Sequence, residues 1–107
     1  DWTVIPDALI AAATASRHAT ILLWYPVKSL TRPNAMIARF KAAGVSATIA
    51  ELITTPLEHQ RQRLNGSGVV LVRPPAGTLA AIADAAPMLG AHCATRAGVW
   101  SLRLSSW

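Results

Sequence analysis

Apolar and polar positions fall along this chain in blocks whose period changes from helical to extended and back. Between Val4 and about Arg17, Val4, Ile5, Ala8, Leu9 and Ala12 recur at the spacing of one helix face, and Pro6 falls in the first turn, where a missing N–H costs little. The pattern predicts an opening helix. Thr20 to Tyr25 (TILLWY) is a continuous apolar run, too short for a helix and ended by Pro26. It predicts a central strand, buried on both faces of a parallel sheet. Thr31, Arg32 and Pro33 make a helix start, Met36, Ile37 and Phe40 an apolar stripe, and Gly44 a left-handed stop, which gives a second helix from about Arg32 to Ala43.

Ser46 to Ile53 alternates less cleanly, with Ala47, Ile49 and Ile53 on one face and Thr48, Ala50 and Leu52 on the other. Read as a strand, it completes a strand–helix–strand unit with a right-handed crossover. Thr54 to Gly68 has no period, contains Pro56, Asn65, Gly66 and Gly68, and is long for a connection in a compact domain. Such connections usually carry function or are disordered. Val69 to Arg73 reads as a third buried strand stopped by Pro74 and Pro75. Thr78 caps a helix carrying Leu79, Ile82, Ala83, Ala86 and Leu89, which kinks or ends near Pro87 and Gly90. Trp100, Leu102 and Leu104 alternate with Ser101 and Arg103, as in a strand with one wet face. The order is αβαββαβ, an α/β layered sheet. Ligands of such sheets sit beyond the carboxyl ends of the strands, which singles out Tyr25 to Lys28 and Arg73 to Ala76.

With 107 residues the chain holds one domain, and 52% hydrophobic against 14% charged residues excludes a disordered polymer. Ten Lys+Arg against five Asp+Glu, a net charge of +5, favour an anionic partner such as nucleic acid. A mean hydropathy of +0.36 and a start without Met suggest a piece of a longer protein. The single Cys93 makes no internal disulfide, which excludes disulfide scaffolds and zinc ribbons and suggests an intracellular protein. No run reaches the roughly 18 to 20 apolar residues that cross a bilayer, and no signal peptide opens the chain. The expectation is a cytoplasmic protein without a membrane partner.

Candidate chemistry is sparse. No GxGxxG, GxxxxGK[ST], CxxC or HExxH spacing occurs, His18, His59 and His92 are scattered, and the adjacent His92 and Cys93 splay apart, so no metal site is expected. Neither Ser29 nor Ser67 sits in a nucleophile elbow, and Asp1, Asp7, Glu51, Glu58 and Asp84 form no close pair. Two segments remain. Trp24-Tyr25-Pro26-Val27-Lys28 offers aromatic and basic groups to a nucleotide, or else core aromatics and a solvated lysine. Arg61-Gln62-Arg63-Leu64-Asn65-Gly66-Ser67-Gly68 offers guanidiniums and a glycine-rich turn with free backbone N–H groups suited to phosphates, or else a polar turn entering a strand.

Together these segments resemble a known family. WYPVK at 24–28, followed by LNGSGVVLVRPP at 64–75, is similar to the carboxyl-terminal half of the bacterial large-subunit (23S) ribosomal RNA adenine-N(6) methyltransferases, a family also described as involved in catabolism of external DNA. The resemblance spans essentially the whole chain, and Asp1-Trp2 looks like the acid–aromatic pair that follows that family's Asp-Pro-Pro-Tyr motif. It departs at Arg73, where the family tends to read Asn, and at Ala76, where it tends to read Trp.

The resemblance implies a three-layer, Rossmann-like methyltransferase sheet, a mixed sheet with helices on its faces, of which residues 1–107 form the C-terminal portion. It places the glycine-rich S-adenosylmethionine loop and the Asp-Pro-Pro-Tyr motif in an N-terminal half upstream of residue 1. The implied function is S-adenosylmethionine-dependent methylation of an adenine exocyclic amine in large-subunit ribosomal RNA. No catalytic residue is then expected in this chain, and Tyr25 and Pro26 form the active-site floor. The basic and polar groups of Lys28, Arg32, Arg61, Arg63, Asn65 and Ser67 are expected to face RNA. Two other readings stay open: a non-catalytic basic α/β module for nucleic-acid binding or DNA utilisation, and a plain structural or dimerisation domain.

Overall fold

The computed structural model describes residues 2–55, 64–95 and 99–107. The elements follow in the order expected: α1 (Val4–Ala15), β1 (Ile21–Val27), α2 (Thr31–Ala42), β2 (Thr48–Ile53), β3 (Gly66–Val72), α3 (Thr78–Cys93) and β4 (Ser101–Ser106). Their arrangement in the sheet differs from the expectation. The strand order is β1-β3-β2-β4 and every neighbouring pair is antiparallel.

Among the described residues TILLWY therefore lies at a sheet edge with no parallel neighbour, and the strand–helix–strand unit does not close by direct pairing. β1 and β2 run in the same direction, but β3 lies between them. β3 takes the centre because Val70, Leu71 and Val72 are buried in succession, a demand that only a strand covered on both faces meets. On β1 the residues facing away from α1 and α2 stay open instead, with Leu22 63% and Trp24 56% exposed.

Gly66, Ser67 and Gly68, read from sequence as a turn, belong to β3 and pair with both β1 and β2, so their backbone is committed to the ladder. α3 runs through Pro87 and Gly90 to Cys93. Gly90 is needed for packing: a Cβ there would lie 2.2 Å from Cδ2 of Trp100.

α1 and α2 cover one face of the sheet, where Leu9, Met36, Ile37 and Phe40 pack with Tyr25, Val27, Ile49, Val70 and Val72. α3 covers part of the other, above Ala50, Leu52 and Val69, and leaves a gap of about 520 Å³ lined largely by alanines and leucines. The far end of β4 is fastened by Trp107, which exchanges backbone hydrogen bonds with Ala47 and donates its indole N–H to the Val45 carbonyl at 2.7 Å.

Because β3 runs against β1, Ile21 faces Val72 and Val27 faces Gly66. The two segments expected to share a ligand edge, Tyr25 to Lys28 and Arg73 to Ala76, therefore lie at opposite ends of the sheet. Arg73 has a different job. Its backbone is left-handed (φ 50), and its guanidinium donates to the carbonyls of Ala13 (3.2 Å), Ala19 (2.9 Å) and Ser16. It supplies donors to the end of α1, where helix carbonyls lack partners.

Candidate functional site

Strand register places Tyr25 on β1, Gly68 on β3, Glu51 on β2 and Arg103 on β4 in one cross-strand row on the α1/α2 face. Tyr25 spans the gap that Gly68 leaves: a Cβ on Gly68 would lie 2.3 Å from Cζ of the ring. The Tyr25 hydroxyl donates to Oε1 of Glu51 at 2.6 Å. Arg103 closes on the same carboxylate from the other side, with Nε at 2.8 Å from Oε2 and Nη2 at 2.7 Å from Oε1, and Nη2 also donates to Oδ1 of Asn34 on α2 at 3.2 Å. Glu51 is 1% exposed, and both its oxygens are engaged, as a buried carboxylate requires.

Burial, and then the bond to Glu51, hold the Tyr25 hydroxyl protonated far above the usual phenol range. The Glu51 bond likewise raises the Arg103 guanidinium above its ordinary value. This network was not read from the sequence, where Glu51 has no nearby acid and Arg103 stands on the wet side of its strand. One signal was present: Glu51 is in phase with Ala47, Ile49 and Ile53, so the apolar face of β2 carries a carboxylate that must find buried partners.

Beside this row, at the free edge of β1, Trp2, Ile5, Pro6, Leu23, Trp24, Tyr25, Pro26 and Met36 line an open pocket of about 140 Å³. Trp2 stands edge-on to Tyr25, ring centroids 6.0 Å apart at 65°. Aromatic, proline and methionine walls of this kind suit one face of a planar ring.

Lys28 and Arg32 are exposed just beyond, at the end of β1 and in the first turn of α2. Asn65 is buried. Its backbone N–H donates to the Val27 carbonyl and its side-chain amide to the Lys28 carbonyl, both at 2.8 Å, while its own carbonyl accepts from the N–H groups of Thr54 and Thr55. It ties together the ends of β1, β2 and β3. Ser67 is half-buried on the opposite face, between Pro26 and Leu52 in the register, and lines the gap under α3. The structure thus brings Pro26, Lys28 and Arg32 together at one end of β1, keeps Tyr25 almost wholly buried (3% exposed) where it lines the pocket, buries Asn65 behind them and sets Ser67 on the opposite face. Arg61 and Arg63 lie outside the described residues; the described residue Asn65, where their segment re-enters the sheet, is bonded to Lys28.

Among the described residues no three His, Cys, Asp or Glu side chains gather into a metal-holding group, and no helix is long and apolar enough to cross a membrane. These residues do not fit S-adenosylmethionine either. The open sides of Gly66, Gly68 and Gly90 are filled by Leu52 and Ile53, by Tyr25 and by Trp100, and Gly44 and Gly77 stand singly at helix ends, so no described glycines form a nucleotide cradle.

The crystal structure of a Legionella pneumophila protein of the DUF519 family has the same fold, with a TM-score of 0.84 at 20% sequence identity. The match covers 98% of this chain and 38% of that one, so the chain spans well under half the length of that structure. No curated protein sequence matches. Residues 1–106 match the family described as ribosomal RNA large subunit methyltransferase D, RlmJ, and the chain belongs to that family.

Proposed function

We propose that this chain is the C-terminal portion of a methyltransferase domain that transfers a methyl group from S-adenosylmethionine to the exocyclic amine of an adenine in large-subunit ribosomal RNA, in the cytoplasm. The family match over residues 1–106 is the observation that carries the reading. An upstream half, containing the Asp-Pro-Pro-Tyr motif, holds the cofactor and completes a Rossmann-like sheet. Two features support this division. Among the described residues nothing pairs with the outer edge of β1, Leu22 and Trp24 are exposed beside it, and such edges are normally covered. The described glycines also leave no cradle for the cofactor.

In this reading the chain's own residues hold the target. An adenine is reached only after leaving its stack, and stacking on an aromatic surface offsets about 1–3 kcal/mol of that cost. Tyr25 and Pro26, with Trp2, form the wall for the extruded base. Lys28 and Arg32, joined by Arg61 and Arg63, contact phosphates and set the register of the RNA without reading its sequence.

The test is methyl transfer by the full-length protein to large-subunit ribosomal RNA from a strain lacking the gene, followed by nucleoside digestion. Label from S-adenosylmethionine in N6-methyladenosine is the expected result. Label in another nucleoside overturns the adenine assignment, and RNA binding without transfer favours the non-catalytic module.

A further inference from the structure

We propose that Glu51 is a positioning residue for the base pocket at the edge of β1. This rests on the reading of that pocket as the base site. Glu51 is buried while its partner Arg103 is half exposed, and a buried carboxylate is poorly explained by stability alone, because apolar residues of similar size often replace buried charges and their partners at little cost. What the Glu51 pair does provide is geometry. The Tyr25 ring, 3% exposed, crosses β3 over bare backbone at Gly68 and packs in the core with the residues of α1 and α2. Packing confines the ring, and two directed contacts fix it further. Trp2 meets it edge-on with centroids 6.0 Å apart, and Glu51 accepts the hydroxyl at 2.6 Å. Glu51 is itself clamped by two bonds from Arg103, which is tied in turn to Asn34 on α2. The wall of the pocket is thereby referred to β2, β4 and α2, and a base stacked against it inherits that alignment. Misplacement of a reacting group by an ångström is enough to lower a rate by orders of magnitude.

The experiment compares Tyr25→Phe, Glu51→Leu, the double variant and Glu51→Gln in the full-length enzyme, with kcat, KM for each substrate and near-ultraviolet circular dichroism of the aromatic residues. Tyr25→Phe and Glu51→Leu delete the same bond. Each is expected to lower kcat about tenfold with KM for S-adenosylmethionine unchanged, and the double variant to be no slower than the worse single one. Glu51→Gln, which keeps a carbonyl acceptor, is expected to recover most of the loss. Unchanged kcat in Tyr25→Phe, or losses that multiply in the double variant, overturn the proposal. Tyr25→Phe keeps the ring volume and the Glu51–Arg103 pair, so it decides the matter even where Glu51→Leu does not fold. If the unaltered enzyme transfers no methyl group, the functional reading fails, and the dichroism still decides the positioning: an aromatic band altered by Glu51→Leu and restored in Glu51→Gln supports it, and a band that Glu51→Leu leaves unaltered overturns it.

Discussion

The hydroxyl of Tyr25 reaches the carboxylate of Glu51 from two strands away, passing over the backbone of Gly68, which stands between them in the register. The contact exists because the intervening residue has no side chain. Gly68→Ala puts a methyl group 2.3 Å from Cζ of a ring packed in the core and bonded at its hydroxyl, so the ring or the strand must shift. The expected loss is about 1–3 kcal/mol, the usual cost of overpacking, measured by urea unfolding of the full-length protein. In a Tyr25→Leu background the same substitution is expected to cost less than half as much; an equal cost in both backgrounds would place the strain in the β3 backbone.

Alkaline pH acts on the same tyrosine. Burial and the Glu51 carboxylate raise its pKa in the folded state, so above about pH 10 the unfolded chain loses the proton while the folded one keeps it. The unfolded state then binds fewer protons, and stability falls as pH rises, by up to about 1.4 kcal/mol per pH unit from this group. Below pH 10 its contribution is fully present. The slope of unfolding free energy between pH 10 and 11 is expected to be flatter in Tyr25→Phe than in the unaltered protein.

Arg73 makes two separable contributions. Its guanidinium fastens the end of α1, and its backbone occupies a left-handed conformation that glycine adopts without strain. Arg73→Gly loses only the clamp, whereas Arg73→Ala loses the clamp and keeps the strain. Both are expected to destabilise the protein, Ala by about 1 kcal/mol more than Gly, with hydrogen exchange faster at Ala13 to Ser16 in each. Equal losses would mean that the backbone conformation relaxes.

The order of elements was legible because each has a clean local cause: Pro6 in a first turn, Gly44 after the second helix, and alternation in Ser101 to Leu104. The pairing of strands was not, because TILLWY and VVLVR are both unbroken apolar runs and neither carries a mark of edge or centre. Placing β3 between β1 and β2 depends on long-range burial, which also turned Gly66 to Gly68 from an expected turn into strand. The candidate site was half legible. Tyr25 and Pro26 stood out as an aromatic segment at a strand end, but Glu51 and Arg103 become partners only once β2 and β4 are paired in register.

The exposed side of β1 has a consequence for the 107-residue chain on its own. Leu22 and Trp24 lie beside an unpaired strand edge, a combination that recruits a further strand. The chain by itself is expected to self-associate in light scattering, and Leu22→Lys with Trp24→Lys to reduce that association. A stable monomer would show that this edge is tolerated uncovered.

The RNA surface is tested at Lys28 and Arg32. Both are exposed, at the end of β1 that also borders the aromatic pocket, and the Lys28 backbone is held by Asn65, so changing these side chains leaves the segment anchored. Contacts to phosphate release counterions, and each one removed lowers the salt dependence of binding by about 0.7–0.9 in the log–log slope. Lys28→Glu with Arg32→Glu in the full-length protein is therefore expected to weaken ribosomal RNA binding and to flatten its decline between about 50 and 200 mM salt. Arg61→Glu with Arg63→Glu supplies the same comparison for the segment that re-enters the sheet beside Lys28. Because phosphates carry no sequence information, the weakening should be similar for cognate and unrelated RNA, leaving their affinity ratio unchanged. Affinity and slope unchanged in both double variants would place the RNA away from this end of β1, whereas a selective loss for cognate RNA would assign these side chains to base contacts.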